Sequence, residues 1–355
     1  MTATTDFPRN ELEFHQRFST EEACRDYWTR LRWPDGFVCP HCGHKGGWRR
    51  ADRDVWICSA KECGKPTSPR AGTVLHNSPK PYRAWLMAMY HMTVNKQGVS
   101  ALRLQRMLGF GSYETAQRWL RELRRVMAAT EASDRLGPEV EVDEAALGGV
   151  EKGGKGSFVG KVWIVGAVER KGKGSGRARL RVLYDNVRTA DTLCGFVADT
   201  VEEGSIVATD AFQGYMRLGK MGYLHDPRTT TTGRGGGNGA NQLKLEDGRE
   251  VANVHLPRIH RVFSLVERIV LGAYQGSFTE RHLQQYLDEY AFRFNRRSTR
   301  VPLGIFQDLA ARTVRNQCVP LWRSRGRKAP DVPTKPVTSE WTELAATLER
   351  CPYLG

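Results

Sequence analysis

Four cysteines fall between residues 39 and 63 in two tight pairs, Cys39-Pro-His-Cys42-Gly and Cys58-Ser-Ala-Lys-Glu-Cys63-Gly. Four thiols this close either bind one metal or form disulfides. A disulfide framework belongs to short secreted chains with evenly spread pairs. This chain has 355 residues, and its other four cysteines, Cys24, Cys194, Cys318 and Cys351, are scattered. Its N-terminus lacks the basic-then-apolar pattern of a secretion signal. The spacing therefore predicts a structural four-cysteine zinc site, in which two turns deliver four soft ligands to a tetrahedron. The glycine after each second cysteine lets the turn fold back on the ion. Residues 48–50 and 55–57 read as the strands of a hairpin between the pairs, which is a zinc-ribbon layout. His41 and His44 are rival ligands, but His41 lies inside the first knuckle and is expected to be exposed.

Charge narrows the partner. Lys plus Arg number 54 against 39 Asp plus Glu, a net charge of +15. Such a balance points to a polyanion, nucleic acid before an anionic membrane surface. Apolar residues are 40% and charged residues 26%, which suits folded domains and excludes wholesale disorder. No apolar run approaches the roughly 20 residues of a spanning helix, so a soluble, cytoplasmic chain is expected. After the ribbon, residues 82–90 and 99–108 carry apolar residues at helical spacing. Gly109-Phe-Gly111 is a turn, and Ser112 is the expected N-cap of a longer helix through about Met127. Two helices joined by a short glycine turn match a helix-turn-helix. Arg103, Arg106, Arg118, Arg121, Arg124 and Arg125 form its basic face. That face either contacts DNA or is an ordinary solvated surface.

From about residue 139 the pattern changes to short strands: 139–144, 160–168 and 178–184, an antiparallel meander joined by glycine-rich turns. A helix is expected over 189–203, then a strand over 205–210 ending on an acid. Residues 228–242 read as a low-complexity loop, 250–255 as a short strand, and about 258–272 and 278–295 as helices, the second opening on a capping-box pattern at 277–280. This is an α+β class with a ribonuclease-H-like order: a mixed five-stranded sheet with helices. On such a sheet the first and fourth strands are central neighbours, so Asp143 and Asp210 should converge. The helix starting near Arg258 should bring His260 to them. Two carboxylates and a third ligand hold divalent metals that assist phosphoryl transfer. Glu144 is expected to face away from Asp143, because strand neighbours alternate. Asp191 and Asp199 read as helix-surface residues, and His255 as a core or supporting histidine.

At these residues the chain resembles the zinc-ribbon DDE transposases of bacterial insertion sequences with an ISXO2-like domain. The matching stretches are Cys39-Pro-His-Cys42-Gly, Ala71-Gly-Thr-Val-Leu-His76 with Trp85, Val140-Glu-Val-Asp-Glu144 with Gly148-Gly149, and Gly160-Lys-Val with Val165-Gly-Ala-Val-Glu169. Further on come Thr209-Asp210, Leu256-Pro-Arg-Ile-His260-Arg-Val, Tyr286-Leu-Asp-Glu-Tyr290 and Phe294-Asn-Arg-Arg297. Together they run from about residue 20 to 310. The resemblance implies a catalytic domain dependent on Mg²⁺ or Mn²⁺ in a two-metal site, beside the structural Zn²⁺. It implies cleavage and joining of double-stranded DNA at terminal inverted repeats, by a homodimer or larger assembly in the nucleoid. Many relatives place Glu where this chain has His260, so His260 is the expected third ligand with Asp143 and Asp210. Glu267, where a Lys is common, is either a surrogate acid or a solvated residue. Arg293, Arg296, Arg297 and Arg300, with Arg312, Arg315, Arg323, Arg325, Arg327 and Lys328, are expected to hold phosphates. The expected organisation is a helical lead-in (1–35), a zinc ribbon (36–80), a helix-turn-helix region (81–132), a catalytic domain (138–310) and a basic tail (311–355). Two rival readings are a catalytically inactive, domesticated DNA-binding regulator and a nuclease on the same fold that cuts without joining.

Overall fold

The computed structural model describes residues 8, 10–131, 135–148, 161–210, 212–228, 256–274, 280–297 and 304–315. Along the chain come α1 (Glu11–Arg17), α2 (Glu21–Arg32), β1 (Gly47–Arg50), β2 (Val55–Cys58), β3 (Pro66–Thr67), α3 (Tyr82–Val94), α4 (Ala101–Leu108) and α5 (Tyr113–Glu131). Then follow β4 (Glu139–Leu147), β5 (Val162–Lys171), β6 (Gly174–Val182), α6 (Ala190–Thr200), β7 (Ile206–Asp210), β8 (Leu224–Arg228), α7 (Pro257–Tyr274), α8 (Glu280–Asn295) and α9 (Gly304–Arg315). The chain divides into two compact units, one of residues 1–94, 104–126 and 299–355, the other of 95–103 and 127–298. Among the described residues no helix is long and apolar enough to cross a membrane.

In the first unit, polar caps start the short helices. Asn10 Oδ1 accepts from the Glu13 N–H at 2.9 Å, and Thr20 Oγ1 accepts from Ala23 at 3.2 Å. An aromatic core joins α1, α2, α3 and α9: Phe14 stacks on Tyr90 with ring centroids 4.3 Å apart, and Phe306 meets Phe14 edge-on at 5.5 Å. The expected start of a tail at residue 311 thus falls inside a packed helix. The three antiparallel strands of the ribbon lie in the order β1-β2-β3, one more than the hairpin expected. In the helix-turn-helix, Trp85 stacks on Trp119 at 3.6 Å and Phe110 meets Trp119 edge-on at 4.7 Å. Gly109 makes the turn at φ +62°, where a side chain would be strained.

The second unit is built on a five-stranded sheet of order β6-β5-β4-β7-β8. β5 is antiparallel to β4 and β6, whereas β4, β7 and β8 run parallel. This is the ribonuclease-H-like arrangement. The fifth strand is β8, not the expected 250–255, which lies outside the described residues together with 229–242 and the pattern at 277–279. Alternation divides the sheet into two apolar faces. Val140, Val142, Val165, Ala167 and Val207 pack toward α6; Ile164, Val168, Leu180 and Ala208 pack toward α7 and α8. The open edge of β6 is closed by side chains of α8. Gln284 accepts from Val182 N–H at 2.8 Å and donates to Leu180 O at 3.2 Å; Asn295 accepts from Ala178 N–H at 2.7 Å and donates to Ala178 O at 3.1 Å. The two amides are separated by about three helical turns, so they share one face. They satisfy peptide groups that would otherwise recruit a foreign strand.

Candidate active site

The ribbon cysteines form the first cluster. Cys39 Sγ lies 3.7 Å from Cys63 Sγ, Cys42 Sγ lies 3.6 Å from Cys58 Sγ, and all four sulfurs lie within 4.8 Å of one another. A metal with four sulfurs at about 2.3 Å in a tetrahedron sets them roughly 3.8 Å apart, so the donors fit. Both knuckles close through their glycines: Gly43 N–H donates to Cys39 O at 2.9 Å with φ +73°, and Gly64 N–H to Ala60 O at 3.1 Å with φ +53°. Phe37 and Trp56, stacked at 5.5 Å, shield the site with Cys39 and Cys58. His41 is exposed, and His44 hydrogen bonds Ser59 Oγ at 2.9 Å; neither belongs to the cluster.

The second cluster lies where β4 and β7 part. Their parallel register ends at Glu141↔Ala208; continued by two residues it sets Asp143 beside Asp210. Asp143 Oδ2 lies 2.8 Å from His260 Nε2, and Asp143 Oδ1 accepts from the Glu144 N–H at 2.8 Å. Asp210 Oδ1 accepts from the Phe212 N–H at 3.2 Å. Carboxylate oxygens of Asp143, Glu144 and Asp210 lie within 4.8 Å of one another. The expectation that Glu144 faces away is thus corrected. Its side chain does leave on the α6 face, where Tyr215 Oη donates to it at 2.7 Å. Among the described residues no strand pairs with that side of β4 beyond Glu141, so the longer Glu144 reaches the acids through the gap. Three carboxylates gathered this closely are a hard-oxygen donor set of the kind that could hold a divalent cation.

Crowded charge shows in the protonation of these groups. Burial, then the nearby Asp210 and Asp143 charges, pushes the Glu144 carboxyl up to about 7, although the Tyr215 hydrogen bond opposes this. Burial first and Asp143 second raise Asp210 above the usual carboxylate range. The hydrogen bond to Asp143 raises His260 above an ordinary imidazole. Such displaced values are a mark of functional sites.

Helix α7 owes its position to a residue without a motif of its own. Glu141 is fully buried and accepts from Arg258 N–H at 2.8 Å, Ile259 N–H at 3.1 Å and Arg258 Nη1 at 2.9 Å. A carboxylate on β4 therefore caps the start of α7, two residues before Asp143. Arg258 also donates to Gly172 O and Gly174 O in the β5–β6 turn. Gly166 pairs with Asp143 across β4 and β5, and a Cβ there would lie 2.8 Å from Ile259 and Phe263. Its missing side chain lets α7 lie close enough for His260 to meet Asp143. Glu267, two turns further on α7, is exposed and outside the acidic cluster.

The basic residues separate. Arg103, Arg106, Arg118 and Arg125 lie toward solvent, Arg121 is half-buried, and Arg124 is buried. On α8 and just after it, Arg293 donates to Asn95 O and Lys96 O at 2.7 and 2.8 Å, Arg296 pairs with Glu131, and Arg297 donates to Gly176 O at 3.1 Å. These three hold the unit together from within. Arg312 pairs with Asp308 at 2.8 Å and Arg315 is exposed; Arg300 and residues 316–355 lie outside the described residues. Asp191 and Asp199 sit on α6 in pairs with Arg217 and Arg181, and His255 lies outside the described residues.

Two family matches cover much of the chain. Residues 135–295 match the ISXO2-like transposase domain, and residues 19–66 match the transposase zinc-ribbon domain. No curated protein matches the chain.

Proposed function

Since this chain belongs to the zinc-ribbon DDE transposases with an ISXO2-like transposase domain, we propose that it binds the terminal repeats of an insertion sequence and catalyses their cleavage and strand transfer. The observation that carries this reading is the clustering of Asp143, Glu144 and Asp210 at the β4–β7 gap, with His260 hydrogen-bonded to Asp143. Asp143, Asp210 and His260 are the proposed holders of Mg²⁺ or Mn²⁺, with Glu144 within reach; Cys39, Cys42, Cys58 and Cys63 are the proposed Zn²⁺ ligands. Bound divalent ions would supply charge that stabilises the attacking and leaving oxygens. The chain itself orients the donors: the Glu144 N–H fixes one oxygen of Asp143, His260 faces the other, and the Phe212 N–H fixes Asp210. Catalysis of this kind is mostly positioning and neutralisation of charge. Hydrolysis at the element end breaks a P–O3′ bond and frees a 3′-hydroxyl; that hydroxyl then attacks a target phosphate, forming a new phosphodiester as the target's own 3′-oxygen leaves. The outward arginines of α4 and α5 are the proposed readers of the repeat, and two protomers are needed to treat two ends together.

The test is incubation of the full chain with end-labelled terminal duplex and Mg²⁺ or Mn²⁺. Cleaved ends that go on to joined products are expected. Cleavage without joining would replace the reading with a nuclease, and binding without cleavage would replace it with a DNA-binding regulator.

A further inference from the structure

One cation beside the acid cluster has no task in the reaction as described. Arg188 stands in Val187-Arg188-Thr189, immediately before α6, whose first turn Thr189 caps. Its guanidinium carbon lies over the Trp163 ring, 3.9 Å from the centroid, and over the Phe212 ring at 5.0 Å. Trp163 belongs to β5, and Phe212 follows Asp210 by two residues and donates its N–H to it. The elements that aim the acids therefore hold the cation too. Arg188 Nε lies 3.6 Å from Glu144 Oε1, too far for a hydrogen bond, and is buried without an acceptor. Tyr215 supplies the hydrogen bond of Glu144 instead. The Arg188 side chain is 31% exposed, so part of the head is open to an arriving group. Its charge also reaches Asp210, where it opposes the rise in proton affinity.

A purely charge-balancing arginine would close on its carboxylate at about 2.8 Å, with two parallel bonds. This one stays open. A guanidinium carries five N–H donors in a fixed fork, and here the Nε–H is buried without an acceptor, which is costly. Stacking on aromatic rings fixes its plane in advance, so little freedom is lost when an oxyanion docks. The group it faces in a cleft of carboxylates must itself carry acceptors and negative charge. Resting on the DNA-cleavage reading above, we propose that Arg188 binds non-bridging oxygens of a DNA backbone phosphate at or next to the scissile bond. It would grip the strand from the α6 side while the acids engage it from the α7 side.

The experiment uses the full chain, Arg188→Gln, Arg188→Lys and Asp210→Asn, all checked for an unchanged thermal midpoint. Binding to terminal duplex is measured across a salt series, and single-turnover cleavage at saturating protein. Duplexes carrying one uncharged methylphosphonate at the scissile or a flanking phosphate are compared with the natural one. At one position the methylphosphonate should weaken wild-type binding about tenfold, the worth of one charged hydrogen bond, and leave Arg188→Gln unaffected. Arg188→Gln should lower the slope of log Kd against log salt by about one, the mark of one lost phosphate contact. Arg188→Lys should keep that slope while cleaving more slowly, since an ammonium lacks the fork. An equal methylphosphonate penalty in wild type and Arg188→Gln at every position, or an unchanged salt slope, would overturn the proposal. Wild-type cleavage by Asp210→Asn would instead sink the DNA-cleavage reading, whatever Arg188 does.

Discussion

His260 meets Asp143 only because other side chains fix the helix that carries it. Glu141 takes three N–H donors at the start of α7 with no exposure to water, and Gly166 leaves room for the helix to lie flat on the sheet. Removing Glu141 would strand the Arg258 guanidinium and two helix N–H groups. Glu141→Ala should lose about 3–5 kcal/mol of stability, the usual cost of breaking a buried ion pair, read from urea unfolding against wild type. His260→Ala should lower cleavage by about 10- to 100-fold, as for residues that tune a metal site. Glu267→Ala should stay within about twofold of wild type, as is usual for a surface position away from the chemistry; the reverse order would make Glu267 the third acid. The acid pair was legible from the sequence, since strand order alone brings Asp143 to Asp210. Glu144 was not, because alternation speaks of faces and not of a gap in the sheet through which a long side chain passes. Arg188 lay in a loop without a motif, and only the rings beside it give it a place.

At the scale of elements, α8 does more than cover the sheet. Its Gln284 and Asn295 cap the β6 edge, while Glu131 at the end of α5 gathers Arg179 at 2.8 Å, Asn295 and Arg296. Between them lies Asp288, which accepts from Gln284 at 2.8 Å. Burial, with the Glu131 charge adding to it, raises the Asp288 carboxyl to about 7. In the unfolded chain it ionises near about 3.9. The folded state therefore binds this proton more tightly, and stability falls as pH rises from about 4 to about 7, then levels. Asp288→Asn should match wild type in thermal midpoint near pH ~4 and exceed it near pH ~8; a gain over wild type that is larger at the acid end than at the alkaline end would contradict this. The helix pattern on 278–295 is readable in the sequence, but the same pattern points its arginines at phosphate. A run of basic residues shows charge and hides internal acceptors such as Asn95 O and Gly176 O. β8 carries no strand signal in the sequence because Leu-His-Asp-Pro-Arg is polar and holds a proline, which is tolerable only on an edge strand such as this one.

The whole molecule pairs two clusters of opposite chemistry: four thiols in the first unit and three carboxylates with a histidine in the second. The proposed ions follow the softness of the donors, zinc for the thiolates and Mg²⁺ or Mn²⁺ for the carboxylates. Purified protein should hold one equivalent of zinc by elemental analysis, and Cys58→Ser should lose it along with the order of the ribbon; a content well below one equivalent would remove the zinc assignment. The net charge of +15 also resolves into parts, since Arg179, Arg258, Arg293, Arg296 and Arg297 face protein acceptors. The proposed phosphate contacts are therefore the outward arginines of α4 and α5 and Arg188. The most direct measurement is single-turnover cleavage of labelled terminal duplex in Mn²⁺ by wild type, Asp143→Ala and Asp210→Ala, with DNA binding followed in the same samples. Binding should be kept in all three and cleavage lost in both variants, by about a thousandfold or more, as when groups that act as one unit are removed. Cleavage at the wild-type rate in either variant would contradict the assignment of the β4–β7 acids as the catalytic centre.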